Sequence, residues 1–529
     1  MDLLNKESVF LSGPPWNRGL LLLVAGLLAH LCILGFGVMF IPVSWDEGWN
    51  FCVARTLVEK GYYGCLYQGQ LTDARLSTGW ASVLPAAAGF KLFGIGFVQG
   101  RVFIATQAFL AILALWYLAR RTFGSKTALT TVLTLLFFSG DQRLHPMMLG
   151  AQAWGEMPMI LYAILGYIML ARALDAGRST IFSLTLSSIC FGLALSTKVL
   201  VQPFLALALF VPAAYAIHRR DYRAGVRFVA TLLGAWLIFK LLQHLPLPYH
   251  PDPLRTGAGT SGFIQLLGIV LDPGVRMATA EFMLSRCWPY LAGLAYIALL
   301  WRKHGAQALA PANNKLETVS LSILVLSASW AFWFLIFSID FPRYVASALI
   351  FGSIFTGHFL VKMTHGLSIS ETRAAWAALM EMRGNLHRKA AVITAVMLLT
   401  FQALLTPYLI YTYLSANGQA NEQLIEVADY LNTQTRPDSL IETYDTQLFF
   451  LLNRPYHYPP DQFHVAALAQ HSGKAMPNEP YTLTDVRPDY IATGIWSREI
   501  FHVYDELIDP STFRLEKTLG QWAVFGRQR

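Results

Sequence analysis

Charge is what this sequence has least of. Of its 529 residues only 14% are Asp, Glu, Lys or Arg against 55% hydrophobic, and the mean hydropathy is +0.44. That excludes an ordinary soluble domain, in which about a quarter of residues are charged. Cysteine is sparse too: Cys32, Cys52, Cys65, Cys190 and Cys287 show no paired short spacing, which excludes a zinc ribbon or a CxxC redox motif. No internal repeat of solenoid or transporter kind is evident. The N-terminal region has no small-residue cleavage site, and its apolar run is long enough to span a bilayer, so a retained first helix is expected instead of a signal peptide.

What the chain does have is apolar length. Stretches able to span run over 18–41, 98–119, 126–140, 156–173, 180–197, 199–217, 225–243, 287–301, 316–338, 343–361 and 390–413, eleven in all. Alternate connections carry the basic residues, among them Arg120 and Arg121, Arg219 and Arg220, and Arg302 and Lys303. By the positive-inside rule those loops and the N-terminus are cytoplasmic. The net charge of +8 is a by-product of that bias and calls for no nucleic acid. "GWASVLPAAAGFKLFGIG", 79–96, is apolar, but as a span it would turn every later arginine pair outward, so a helix in the outer interface is predicted.

The expected architecture is thus a mainly α, polytopic membrane helix bundle with about eleven transmembrane helices. Residues 1–413 form the membrane part, with a large outer loop at about 42–97, and 414–529 form a small α/β domain on the outer side. In that tail "SLIETYD", "PDYIATG" and "RLEKTLGQWAVFG" read as strands between turn residues. Cys52 and Cys65 share the outer loop, where they are candidates for a disulfide.

Ionisable groups in or beside apolar spans cost several kcal/mol, roughly 2.5–3.5 at a helix centre, so they tend to line a cavity or pair. On the outer face stand Asp46 and Glu47 in "PVSWDEGWNF", Arg75, Glu156, Lys198, and Arg343 with Tyr344. Acids facing bases suit an anionic ligand. Each has a plainer reading: Lys198 snorkelling to headgroups, Arg343 in an interfacial salt bridge, Glu156 complementing a helix N-terminus. The adjacent Asp46 and Glu47 should repel, raising the pKa of one and making it a base. Trp45 and Trp49 read as interfacial anchors.

Taken in order, "SWDEGWNFCVARTLVEKGYYG", "STGWASVLPAAAGFKLFGIGFVQGRVF", "GEMPMILYAILGYIMLARAL", "GLALSTKVLVQPFLALALF" and "FPRYVASALIFG" resemble the GT-C glycosyltransferases, in particular the protein mannosyltransferase-like and aminoarabinose transferase-like members. The resemblance implies a polyprenyl-phosphate-linked sugar donor, an acceptor that is a lipid, a glycan or a protein, and transfer at the periplasmic face of the inner membrane. It makes Asp46 the catalytic base with Glu47 beside it and Glu156 a second acid. Arg75, Lys198 of the "TK" pair, and Arg343 and Tyr344 of the "RY" pair become residues for the donor phosphate. Some relatives carry an arginine three residues after the first acid; Trp49 stands there in this chain, which leaves the phosphate to the other bases. Carboxylates are hard ligands, so a divalent cation is compatible with the acids; no other cofactor is implied. Two other readings of the charges stay open at this point: a transporter or flippase of a polyprenyl-linked or other anionic lipid, and an oligosaccharide polymerase or ligase.

Overall fold

The structure is a computed structural model. It describes residues 18–72, 74, 78–175, 180–243, 270–339, 341–381, 386–459, 463, 464, 467 and 481–528. The first half runs through α1 (Arg18–Phe40), α2 (Trp45–Lys60), a hairpin of β1 (Leu66–Tyr67) and β2 (Gln70–Leu71), α3 (Trp80–Phe93), α4 (Phe97–Phe123), α5 (Ser125–Phe137), α6 (Pro146–Gly150), α7 (Glu156–Asp175), α8 (Thr180–Thr197), α9 (Gln202–His218) and α10 (Tyr222–Gln243). The second half adds α11 (Pro273–Arg286), α12 (Trp288–His304), α13 (Glu317–Phe337), α14 (Arg343–Met363), α15 (Ile369–Glu381), α16 (Leu386–Ala416) and α17 (Ala420–Gln434).

Among the described residues nine helices are long and apolar enough to cross a membrane, and the α11–α12 pair, bent by 80°, makes a tenth. The protein is a multi-pass membrane protein. Large apolar side chains on the outside of the bundle, such as Leu20, Leu237 and Leu404, are exposed, as a lipid solvent allows. The expected eleven spans differ from this in two places. At 13 residues α5 reaches only about 20 Å, short of the ~30 Å hydrocarbon core. The expected 287–301 span is one limb of the bent pair: Cys287 closes α11, and α12 restarts with Pro289 in its first turn, where the missing N–H costs no helix bond. The apolar 79–96 segment forms the 14-residue α3 with Pro85 inside it, too short to span at about 1.5 Å per residue.

Beyond α17 lies a five-stranded mixed sheet of β3 (Ile441–Glu442), β4 (Tyr456–His457), β5 (Tyr490–Thr493), β6 (Phe513–Leu519) and β7 (Trp522–Arg527), in the order β4-β3-β5-β7-β6. β3 pairs parallel with β4 and β5, and β7 antiparallel with β5 and β6. All three strand-like sequences of the tail fall on it.

Two hydrophobic cores result. One fills the bundle, around Tyr167, Phe191, Trp330 and Phe351. The other joins α2, α3 and the hairpin to the C-terminal sheet, with Trp49, Phe51, Phe90, Phe449, Phe450 and Tyr458 in one cluster. The outer loop and the tail are therefore packed as a single body.

Candidate active site

The site is organised by the start of α2. Ser44 is its N-cap: Ser44 Oγ accepts from Glu47 N at 3.3 Å, and Glu47 Oε2 accepts from Ser44 N at 3.3 Å. This reciprocal arrangement satisfies two backbone donors that the helix cannot. Trp154 Nε1 donates to the same Ser44 hydroxyl at 2.5 Å.

Glu47 is fully buried and faces Arg101 of α4, also fully buried, with Nε to Oε1 at 2.8 Å and Nη2 to Oε2 at 2.6 Å. The same guanidinium donates to the carbonyls of Val38 and Ile41 at 2.9 Å, so one side chain closes the C-terminal end of α1 and neutralises the acid that opens α2. Ala153 N donates to Glu47 Oε1 at 2.7 Å, and Asn50 Nδ2 to Ala153 O at 2.6 Å. These bonds strap the segment before α7 to α2 and bring Glu156 beside it.

Asp46, one residue earlier, looks the other way. Neighbours on a helix are about 100° apart and do not face each other. The expected repulsion between the two acids is therefore not what governs them. Asp46 pairs with Arg343 at the start of α14. Burial works against its charge, but the charges of Arg343 and Lys198, the Arg343 hydrogen bond and His464 outweigh it, and the carboxyl is held below its ordinary value. This corrects the expectation of a raised pKa.

Arg343 lies over the Trp154 ring at 4.9 Å and the Tyr344 ring at 5.2 Å. Trp330 Nε1 donates to Tyr344 O at 2.7 Å, which anchors the start of α14 to α13. Lys198 also lies by the Tyr344 ring, at 5.9 Å, and its Nζ donates to Glu156 Oε1 at 2.5 Å. Glu156 Oε2 is buried and accepts no hydrogen bond among the described residues. Asp46, Arg343, Tyr344, Lys198 and Glu156 thus form one array, two acid–base pairs whose cations both lie by the Tyr344 ring. Next to it, Gly79 N donates to Thr197 O at 3.2 Å. A Cβ on Gly79 would stand 1.9 Å from Ser196 O, so only glycine lets the entry to α3 lie against the end of α8. Between α3, α4, α7 and α8 lies an apolar groove of about 410 Å³, with Leu84, Phe103, Tyr162 and Leu193 among its walls.

The C-terminal body covers the other side of α2. Trp45 Nε1 donates to Tyr444 O at 3.0 Å, the Thr446 hydroxyl donates to Trp45 O, and His464 stacks on the Trp45 ring at 4.8 Å and 9°. Trp49 packs edge-on against Tyr458 at 5.2 Å and Phe449 at 5.1 Å. Both tryptophans are buried. They are the seam to the sheet, not interfacial anchors, because α2 is roofed by protein on this side.

Of the residues singled out from sequence, the structure brings together Asp46, Glu156, Lys198, Arg343 and Tyr344, turns Glu47 inward to Arg101, and leaves Arg75 outside the described residues. Among the described residues no group of three or more His, Cys, Asp or Glu side chains is placed to hold a metal ion. Asp46, Glu47 and Glu156 are each bonded to an Arg or Lys. Sequence reasoning missed Arg101, Trp154 and His464. The S-x-x-E pattern of Ser44 and Glu47 is a capping signature that pointed to the inward role of Glu47; no local signal marks His464, which reaches the site from over four hundred residues away.

No family model matches the chain. An uncharacterized protein of Aquifex aeolicus (strain VF5) is 25% identical over 239 residues, 43% of this chain and 44% of that protein, so the match spans less than half of its length. Among solved structures, ArnT from Cupriavidus metallidurans bound to undecaprenyl phosphate superposes with a TM-score of 0.57 at 16% identity, covering 96% of this chain and 97% of that one. The archaeal oligosaccharyltransferase AglB from Archaeoglobus fulgidus, in complex with an inhibitory peptide and a dolichol-phosphate, gives a TM-score of 0.54 at 12% identity, covering 91% and 70%. The fold is that of the GT-C membrane glycosyltransferases.

Proposed function

We propose that the protein is an integral membrane glycosyltransferase that moves a sugar from a polyprenyl-phosphate-linked donor to a lipid, glycan or protein acceptor. In this reading the active site and the C-terminal body face the periplasm and the N-terminus faces the cytoplasm. The observation that carries it is the array of Asp46, Arg343, Tyr344, Lys198 and Glu156 beside an apolar groove: two cations for a phosphate, two acids for proton traffic, and walls suited to an isoprenoid chain. The two structural neighbours, bound to undecaprenyl phosphate and to a dolichol-phosphate, support the donor class.

The acceptor's O–H or N–H group attacks C1 of the sugar. The C1–O bond to phosphate breaks with its electron pair leaving on the phosphate, and the acceptor proton goes to the Asp46 carboxylate, in one inverting displacement. Lys198 and Arg343 offset the charge on the leaving phosphate, for which a guanidinium fork is well shaped. The Asp46–Arg343 pair sets the order of events. While paired, Asp46 is a weak base. A donor phosphate competes for the same guanidinium, and its capture of Arg343 releases the carboxylate next to the acceptor. Donor binding therefore precedes proton removal.

The test is transfer of radiolabelled sugar from a polyprenyl-phosphate donor by the purified protein. Asp46→Asn is expected to lower transfer by roughly 10²–10⁴-fold, the range for a lost general base, while donor lipid still binds. Unimpaired transfer in that variant would remove Asp46 as the base. Lipid movement with no new glycosidic product would replace the transferase reading with that of a transporter.

A further inference from the structure

Cys52 and Cys65 are used by nothing described so far. Cys52 sits on α2, six positions after Asp46, and is 3% exposed; Cys65 directly precedes β1 and is 1% exposed. The Cys52 sulfur is hydrogen-bonded to the Cys65 side chain and lies 2.9 Å from the Tyr456 hydroxyl. Both are thiols in the structure, not joined by a disulfide. They meet at a three-way junction. Tyr456 belongs to β4, the edge strand of the C-terminal sheet. Its carbonyl accepts from Gln68 N of the hairpin turn at 2.9 Å, and the Tyr67 hydroxyl donates to Tyr458 O at 3.3 Å. A link between the two sulfurs would close a ring over the end of α2, the left-handed Gly61 (φ 67°) that stops it, and the entry to β1.

Burial raises the Cys52 thiol, but its bonds with Cys65, the Tyr456 hydroxyl and the Leu66 N–H, together with the charge of Arg55, outweigh burial and hold it below its ordinary value. A thiolate is the form that attacks a disulfide.

We propose that Cys52 and Cys65 are an oxidisable pair that is joined as a structural disulfide in the mature protein. The proposal rests on the placement of this loop at the periplasmic face, where disulfides persist. The oxidant is the disulfide of a thiol–disulfide oxidoreductase. The Cys52 thiolate attacks one of its sulfurs and expels a thiolate. The Cys65 thiolate then attacks the Cys52 sulfur of the mixed disulfide and expels the other. One S–S bond is formed and one broken, two protons leave the cysteines, and two electrons end on the oxidant as a dithiol. Because both sulfurs are buried in the folded protein, the exchange takes place before the C-terminal body closes over the hairpin, with the Cys65, Leu66 and Arg55 contacts of the same loop favouring the Cys52 thiolate and the Tyr456 bond added on closure. The product pins the far end of the helix whose first turn carries Asp46.

The experiment uses the full chain in native membranes, quenched in acid, denatured, and alkylated with N-ethylmaleimide before digestion and mass spectrometry. The expected result is a linked Cys52–Cys65 peptide that takes label only after reduction, while Cys32, Cys190 and Cys287 take label directly. A Ser511→Cys reporter on the exposed β5–β6 connection, probed in intact cells with a membrane-impermeant maleimide, reads the side of the membrane independently. Labelled Ser511→Cys together with free thiols at 52 and 65 overturns the disulfide and leaves the topology standing. A shielded Ser511→Cys overturns the topology, and the proposal with it. In a second measurement the Cys52→Ser/Cys65→Ser double variant, and the wild type in reductant, should each unfold a few degrees lower than the oxidised wild type. An unchanged midpoint in both overturns the role of the bond as a staple.

Discussion

Asp46 and Glu47 adjoin in the chain and bond to different arginines, and their substitutions should separate accordingly. Arg101→Ala leaves Glu47 buried and unpaired and strips the end of α1 of a donor. Loss of one partner of a buried ion pair costs about 3–5 kcal/mol, so a large fall in thermal midpoint is expected in detergent, with what activity remains per folded molecule near normal. Lys198→Met tests the electrostatics of Asp46. Lys198 is one of the cations that hold the Asp46 carboxyl down. Removing it disfavours the carboxylate, raises its pKa, and moves the acid limb of the kcat/KM profile to higher pH; an unmoved limb would detach Lys198 from Asp46. The Asp46–Arg343 pair has the matching sign for stability: with the folded pKa depressed, its contribution is present above the unfolded value and is lost as pH falls through the folded one.

At the scale of elements, α2 is the piece on which the site is hung. Its partners are the C-terminal body on one face and the segment before α7 on the other. A Cβ on Gly48 would lie 2.3 Å from the Thr446 carbonyl oxygen. Gly48→Ala should therefore push α2 off the sheet, lowering stability by about 1–3 kcal/mol as overpacking does, and should reduce transfer more than donor binding because Asp46 rides on the same turn. Comparing apparent donor affinity with turnover checks this. The spans were legible in the sequence because twenty apolar residues leave few alternatives, whereas the short α5 and the bend at Cys287 were not. The apolar run from 126 to 140 has the composition of a span and gives no sign that its helix stops at Phe137. That Asp46, Glu156, Lys198 and Arg343 share one end of the bundle was also legible, since alternating loop charge sets them on the same side as one another. Their partners were not: a carboxylate in a list does not say whether Arg101 or Arg343 will reach it.

Across the whole molecule the described residues pack around two cores, one filling the helix bundle and one assembled from both ends of the sequence. Asn421 makes the join concrete: its Oδ1 accepts from Val43 N at 2.9 Å, and its Nδ2 donates to Ile41 O at 2.9 Å. The composition shift after residue 413 revealed the tail as a distinct folding type. It did not reveal that Trp45, Trp49 and Phe51 complete the tail's core, since the sequence pattern of α2 mixes apolar and polar residues without a clean face. A chain cut after Ala416 should still insert, yet be inactive and aggregate on extraction as those aromatics become exposed. Size-exclusion chromatography and the transfer assay would check both outcomes; a monodisperse, active fragment would show that the outer loop holds its shape alone.

The shared core also has a schedule. Trp45 bonds to Tyr444, 399 positions later, and Val43 to Asn421, 378 positions later. At 5–20 residues per second, roughly 20–80 s of synthesis separate the two halves of each contact. The segment around α2 thus waits through most of translation before its roof arrives, and a ribosome that stalls or a protease that trims the tail leaves Asp46 on an uncovered helix.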